Sequence, residues 1–191
     1  MCGFCGFTGQ VVDWQQGREE ILTRMMNKII HRGPDDAGSF LDEGAALGFR
    51  RLSIIDLGNG RQPMFNEDET LAIVFNGEIY NYQTLREELL EKGHVFRTHS
   101  DTEVLLHGYE EWGDELPNRL RGMFAFVIWN TVTQEIFAVR DFFGIKPFYY
   151  AVVNGNLVFG SEIKSILEYP DYVREVNPLA LENYLTFQYS V

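Results

Sequence analysis

Four strand-like segments, residues 123–130, 136–140, 147–153 and 157–160, follow one another in the second half of the chain with no helical pattern between them. Asn154-Gly155, between the last two, is a hairpin signal, because both residues tolerate positive φ. Segments at 3–8, 46–55 and 71–75 also read as strands, but helical patterns are interspersed with them. Ile21, Leu22, Met25, Met26, Ile29 and Ile30 line one helical face from about residue 17 to residue 30, ahead of Gly33-Pro34. A second helix follows Asn81, with Thr84 and Glu87 at capping-box spacing, Leu85 and Leu89 on one face, and Gly93 as its terminator. A third starts at Ser100, with Glu103 three residues on, and runs through Val104, Leu105 and Tyr109 to Gly113. Helices ahead of a run of hairpin-like strands argue for an α+β fold rather than strict βαβ alternation.

The chain has 191 residues and shows no repeat, low-complexity tract or linker before about residue 170, so residues 1–170 read as one domain. Beyond Tyr169-Pro170 the pattern changes, and Asn177-Pro178 opens a short helical pattern through Leu181 and Leu185. Val191 follows without a cap or polar tail, so residues 171–191 are expected to begin a linker toward a further domain. Sixteen basic against 28 acidic residues leave a net charge of -12, which repels nucleic acid and anionic membrane alike. No run nears the roughly 18 apolar residues of a membrane span, and the first residues lack the basic start of a signal peptide. A cytoplasmic location is expected. Two cysteines, Cys2 and Cys5, are too few for a secreted disulfide framework.

Cys2 stands where removal of an initiator Met would leave thiol and α-amine on one residue. An α-amine titrates near 7.7–8.0, so roughly a tenth of it is neutral at pH 7 and able to take the thiol proton. Such a nucleophile with a built-in base suits amide hydrolysis through a thioester. A retained Met1 would put the amine on the wrong residue and leave a non-catalytic module. Cys2 and Cys5 also have the spacing of a redox or zinc pair. Against this, residues 3–8 alternate like a strand, and His31, His94, His99 and His107 give no recognisable ligand pattern. Cys5 is then simplest as a core residue.

Asn76-Gly77 follows the apolar run 71–75 and offers an amide side chain and an unhindered N–H, the two donors an oxyanion hole needs. A type I′ hairpin turn is the plain alternative. Alternation sends Arg50 and Arg51 to opposite faces, and a guanidinium turned inward suits a carboxylate. Asp101 opens the third helix, where it either complements the helix dipole or holds a substrate ammonium.

Eight motifs stand in order: Met1-Cys2-Gly3, His31-Arg32-Gly33-Pro34-Asp35, Arg51-Leu52-Ser53-Ile54-Ile55-Asp56, Asn76-Gly77-Glu78-Ile79-Tyr80-Asn81, Ser100-Asp101-Thr102-Glu103, Gly122-Met123-Phe124-Ala125-Phe126, Arg140-Asp141 with Gly144 and Pro147, and Ser161-Glu162-Ile163-Lys164. Over nearly its whole length the chain thereby resembles the class II glutamine amidotransferase domain, and within that family the N-terminal glutaminase domain of glutamine-hydrolysing asparagine synthetases. The resemblance implies a four-layer αββα sandwich of two antiparallel sheets between helical layers, the N-terminal-nucleophile hydrolase type. It also implies that Cys2 is the nucleophile, that Asn76 and the Gly77 N–H form the oxyanion hole, and that Arg51, Glu78 and Asp101 bind L-glutamine. The implied partner is a C-terminal synthetase domain, with ATP and magnesium expected there and no cofactor or metal in this domain; a homodimer is left open. No Ser-Gly-Gly run and no Gly-x-x-x-x-Gly-Lys-Ser/Thr loop occurs in the chain. The acceptor of the ammonia is expected to be aspartate, with a sugar, phosphoribosyl pyrophosphate or a peptide-pathway compound as alternatives. The Arg-Gly-Pro-Asp segment reads as a turn-making loop, and Arg140-Asp141 as a structural ion pair or part of an interface that Phe142 and Phe143 would share.

Overall fold

The computed structural model describes residues 2–9, 17–52 and 61–188. Nine strands and six helices are found among them: β1 Gly3–Thr8, α1 Arg18–Asn27, β2 Asp36–Leu41, β3 Ala45–Arg51, β4 Met64–Phe65, β5 Leu71–Ile79, α2 Tyr82–Glu91, α3 Asp101–Trp112, α4 Leu116–Arg119, β6 Gly122–Asn130, β7 Glu135–Arg140, β8 Tyr149–Val153, β9 Asn156–Gly160, α5 Ile163–Ile166 and α6 Pro178–Phe187. The strands form two sheets, ordered β2-β3-β1-β9-β8 and β4-β5-β6-β7, and every pairing is antiparallel.

Alternation along each strand divides its side chains between two cores. Phe4 of β1 and Ala45, Leu47 and Phe49 of β3 meet Ala72 and Val74 of β5 and Ala125, Val127 and Trp129 of β6 in a layer between the sheets. The opposite faces carry the helices. Cys5 and Phe7 turn to Ile21, Leu22, Met25 and Met26 of α1 and Ile166 of α5. Leu71, Ile73 and Phe75, with Phe124, Phe126 and Ile128, pack on Leu85 and Leu89 of α2 and Val104 to Leu106 of α3. The αββα sandwich is therefore present, with α1 and α5 on one outer face and α2 to α4 on the other.

Local departures have local causes. α1 ends at Asn27, and Ile30 opens a 3-10 turn with its side chain exposed while Ile29 is buried. The expected capping box at Thr84 and Glu87 does not form, because α2 already begins at Tyr82 and Thr84 lies inside it. Ser100 does cap α3, its hydroxyl accepting from the Thr102 N–H at 3.1 Å. Asn154 and Gly155, with φ of 51° and 82°, make the expected tight turn between β8 and β9. The strand expected over 46–55 is β3 as far as Arg51; Ser53-Ile54-Ile55-Asp56, like Met1 and Val191, lies outside the described residues. Among the described residues no helix is long and apolar enough to cross a membrane.

Candidate active site

Cys2 directly precedes the central strand of the first sheet, and the groups around it tie that strand down. Ser161 accepts from the Phe4 N–H through its hydroxyl at 3.0 Å and donates its own N–H back to the Phe4 carbonyl at 2.8 Å. Arg32 donates from Nε to the Cys2 carbonyl at 3.0 Å and from its fork to Glu162 Oε1 at 3.1 Å. His31 and Lys164 complete the ring around Glu162, at 2.8 and 2.9 Å. Burial would raise the Glu162 pKa, but hydrogen bonds from Lys164, His31 and Arg32 outweigh it and hold the carboxylate at about 2. Gly3 is needed here, since a Cβ would sit 2.9 Å from the Arg32 side chain.

The Cys2 side chain packs against the layer between the sheets, with Sγ 3.8 Å from the Leu52 carbonyl. Cys5 faces the other way, into the α1 core, so the two thiols cannot converge on one metal or disulfide. Burial pushes the Cys5 thiol far up, which leaves it unreactive. Both cysteines are free. The choice between the arginines is also resolved. Arg50 turns outward to the Met26 carbonyl and Asn27 Oδ1, at 3.3 and 2.8 Å. Arg51 follows Ala45, Leu47 and Phe49 in alternation toward the inter-sheet layer and is buried. Gly3 is paired with Arg50, so continuing that register one step sets Cys2 opposite Arg51.

On the second sheet Asn76 and Gly77 are not a turn. They lie inside β5, which pairs with β6 through Ile79. Asn76 shares the face of Ala72 and Val74, and its ladder partner is Ala125 of the inter-sheet core. Its side-chain Nδ2 is buried without a hydrogen-bond partner. The N–H groups of Phe75 and Ile79 point away from β6, to Gln62 Oε1 at 2.6 Å and Asp101 Oδ2 at 3.1 Å. The Gly77 N–H between them faces that same edge, because strand N–H directions repeat every two residues. A Cβ at Gly77 would lie 2.3 Å from the Met123 carbonyl. Asp101 binds the end of β5 while standing in the first turn of α3. Burial raises its pKa, the bond from Ile79 opposes this, and the neighbouring Glu78 charge adds to the rise. Glu78 itself is exposed at the strand end.

The six expected site residues therefore fall into two groups: Cys2 with Arg51 on the first sheet, and Asn76, Gly77, Glu78 and Asp101 on the second. β1 packs across on β5, and Cys2 touches the core layer that holds Ala125. Ser161 and Glu162 had no assigned role in the sequence, and Arg32 was read only as part of a turn-making loop, whereas it joins the Cys2 carbonyl to Glu162. Arg32 also lines a cavity of about 390 Å3 with Tyr149 and Lys164, and Gln62 lines one of about 350 Å3 with Asp36 and Arg61. Arg140 and Asp141 do not pair with each other. Arg140 binds the Lys146 and Gly144 carbonyls, and Asp141 accepts from the N–H groups of Phe124, Ile145 and Lys146. Phe142 and Phe143 beside them are exposed.

A family profile described as a glutamine amidotransferase domain matches residues 1–191. The chain is 50% identical over 190 residues to asparagine synthetase [glutamine-hydrolyzing] 1 of Bacillus subtilis, which covers 99% of this chain and 30% of that protein. Asparagine synthetase [glutamine-hydrolyzing] 3 of Arabidopsis thaliana is 43% identical over 167 residues, covering 87% of this chain and 28% of its own length. The chain thus spans under a third of the curated relatives it matches. Among solved structures, glutamine phosphoribosylpyrophosphate amidotransferase from B. subtilis superposes with a TM-score of 0.71 at 25% identity, over 93% of this chain and 46% of that one.

Proposed function

The chain belongs to the glutamine amidotransferase domain family, and from that premise we propose that it hydrolyses L-glutamine to glutamate and ammonia with Cys2 as nucleophile. The Cys2 thiol, once Met1 is removed, passes its proton to the α-amine on the same residue and attacks the carboxamide carbon. The oxyanion takes hydrogen bonds from Asn76 Nδ2 and the Gly77 N–H. Collapse expels ammonia, which receives the proton held on the amine, and water then clears the thioester to free glutamate. Arg51 is assigned to the α-carboxylate, and Asp101 with Glu78 to the α-ammonium.

The observation that carries this reading is the buried, unpartnered Nδ2 of Asn76 beside the edge-facing Gly77 N–H. An unsatisfied buried donor costs about 1–3 kcal/mol, a cost that a ligand oxygen removes. The relatives' names, asparagine synthetase [glutamine-hydrolyzing], support asparagine as the product of the ammonia; with the family resemblance, we assign that ammonia to a C-terminal synthetase domain that uses aspartate, ATP and magnesium. Residues 1–170 form the glutaminase domain and 171–191 open the linker, in keeping with α6, none of whose residues is buried.

The test is glutamate release from L-glutamine, with intact mass read on the same sample and Cys2→Ala alongside. Turnover in Met1-free protein that disappears in the variant is expected. No glutamate from protein with a free Cys2 amine would overturn the assignment of catalysis to this chain.

A further inference from the structure

Away from Cys2, α3 buries His107, whose side chain is 2% exposed, among carboxylates. Its Nδ1 lies 2.9 Å from Glu110 Oε2, and its Nε2 lies 3.8 Å from Glu103 Oε1 and 3.9 Å from Glu67 Oε1. Nε2 has no hydrogen-bond partner. A neutral imidazole has one proton for two nitrogens, yet both nitrogens of His107 face acceptors only. The missing positive charge can be supplied by a second ring proton or by a metal ion on Nδ1, and the geometry around Nδ1 decides for the ion.

We propose that His94, His107 and Glu110 form a binding site for a divalent transition-metal ion of the zinc class. One ligand atom from each lies within 4.8 Å of the other two. Tetrahedral zinc with bonds of about 2.0–2.2 Å spaces its ligand atoms about 3.4 Å apart. The separations from Glu110 Oε2, 2.9 Å to His107 Nδ1 and 3.7 Å to His94 Nδ1, bracket that value. Asn66 Nδ2 donates to Glu110 Oε1 at 2.8 Å, which leaves Oε2 turned toward the imidazoles. Each ring has a carboxylate behind its second nitrogen: Glu103 and Glu67 behind His107, and Glu111 behind His94 at 3.5 Å. Carboxylates so placed set the tautomer and basicity of metal-bound histidines. His107 closes the floor, while His94 is half-buried and Glu110 exposed, so an ion has a way in. The site ties the loop after α2 to α3, the helix that carries Asp101, and stands independently of the glutaminase reading.

The test titrates Zn2+ into the folded Cys2→Ala chain, so that the Cys2 thiol does not compete, and repeats it with His94→Ala and Glu110→Gln added singly. Both changes lie toward the surface, and circular dichroism checks that each variant stays folded. One saturable equivalent is expected, with affinity falling at least ~10-fold in each variant, and Co2+ in its place should show the visible absorption of a four-coordinate ion. Absence of a saturable equivalent, or undiminished affinity in either variant, would overturn the proposal.

Discussion

The first-sheet wall of the site and the second-sheet wall treat their polar groups differently. Around Cys2, Ser161 bonds twice to Phe4, and Arg32 joins the Cys2 carbonyl to a Glu162 that is itself held by His31 and Lys164. Across the layer, Asn76 Nδ2 is buried with no partner, and Asp101 is half-buried, accepting from the Ile79 N–H with its pKa raised. The first wall uses most of its bonds to fix the Cys2 backbone, although Arg32 Nη2 is left buried without a partner there; on the second, the unpartnered Asn76 donor is the group we propose the substrate satisfies. Groups of the first kind contribute to stability, and those of the second kind are maintained at its expense.

The sharpest way to break this contrast is Cys2→Ala, for which we expect glutamate release to fall at least ~10³-fold, with the unfolding midpoint unchanged. Asn76→Ala comes next. Losing one oxyanion donor costs about 10²–10³ in kcat, and because Nδ2 has no partner, calorimetry should find stability unchanged or raised. A lowered midpoint with intact kcat would make the second wall structural. Asp101→Asn should raise KM for glutamine by ~10–100-fold, the value of a charged hydrogen bond of about 1.5–3 kcal/mol. The same carboxylate, with its pKa raised, takes up a proton sooner than an ordinary Asp. On acidification the wild-type KM should therefore begin to climb above the usual Asp range, and the Asn variant should lack that limb. Glu162→Gln should be the mildest for turnover, a few-fold at most, while lowering stability at pH 7 by about 1.5–3 kcal/mol. Glu162 sits at about 2 in the folded chain against an ordinary 4.5. Its contribution is present above pH 4.5 and is lost as pH falls toward 2, so the two unfolding curves should merge there.

Strand and helix patterns marked an α+β fold, but the two-sheet layering was legible only through the family resemblance, because β5 and β6 are buried on both faces and read as continuous apolar runs. The strand β2 gave no such signal: its residues are all partly or fully exposed, and Gly38 and Ser39 break any apolar alternation. Asn76-Gly77 taken alone read better as a turn, because the sequence does not show that β6 pairs past it as far as Gly122. Arg50 and Arg51 were separable by alternation, but only the position of α1 decides which one is solvated against a helix end. Arg32 and Glu162 were visible only as motif members. Their joint work depends on a contact across 130 residues, which no local pattern encodes.

β1 sits between β3 and β9, and its pairing with residues 158–160 and with Ser161 joins the first residues of the chain to ones some 155 later. A ribosome adding roughly 5–20 residues per second delivers β9 only after the rest of the first sheet has emerged. The segment bearing Cys2 therefore lacks one of its two neighbouring strands until residues 156–160 have been made, and the proposed nucleophile is seated on both sides only when the sheet closes.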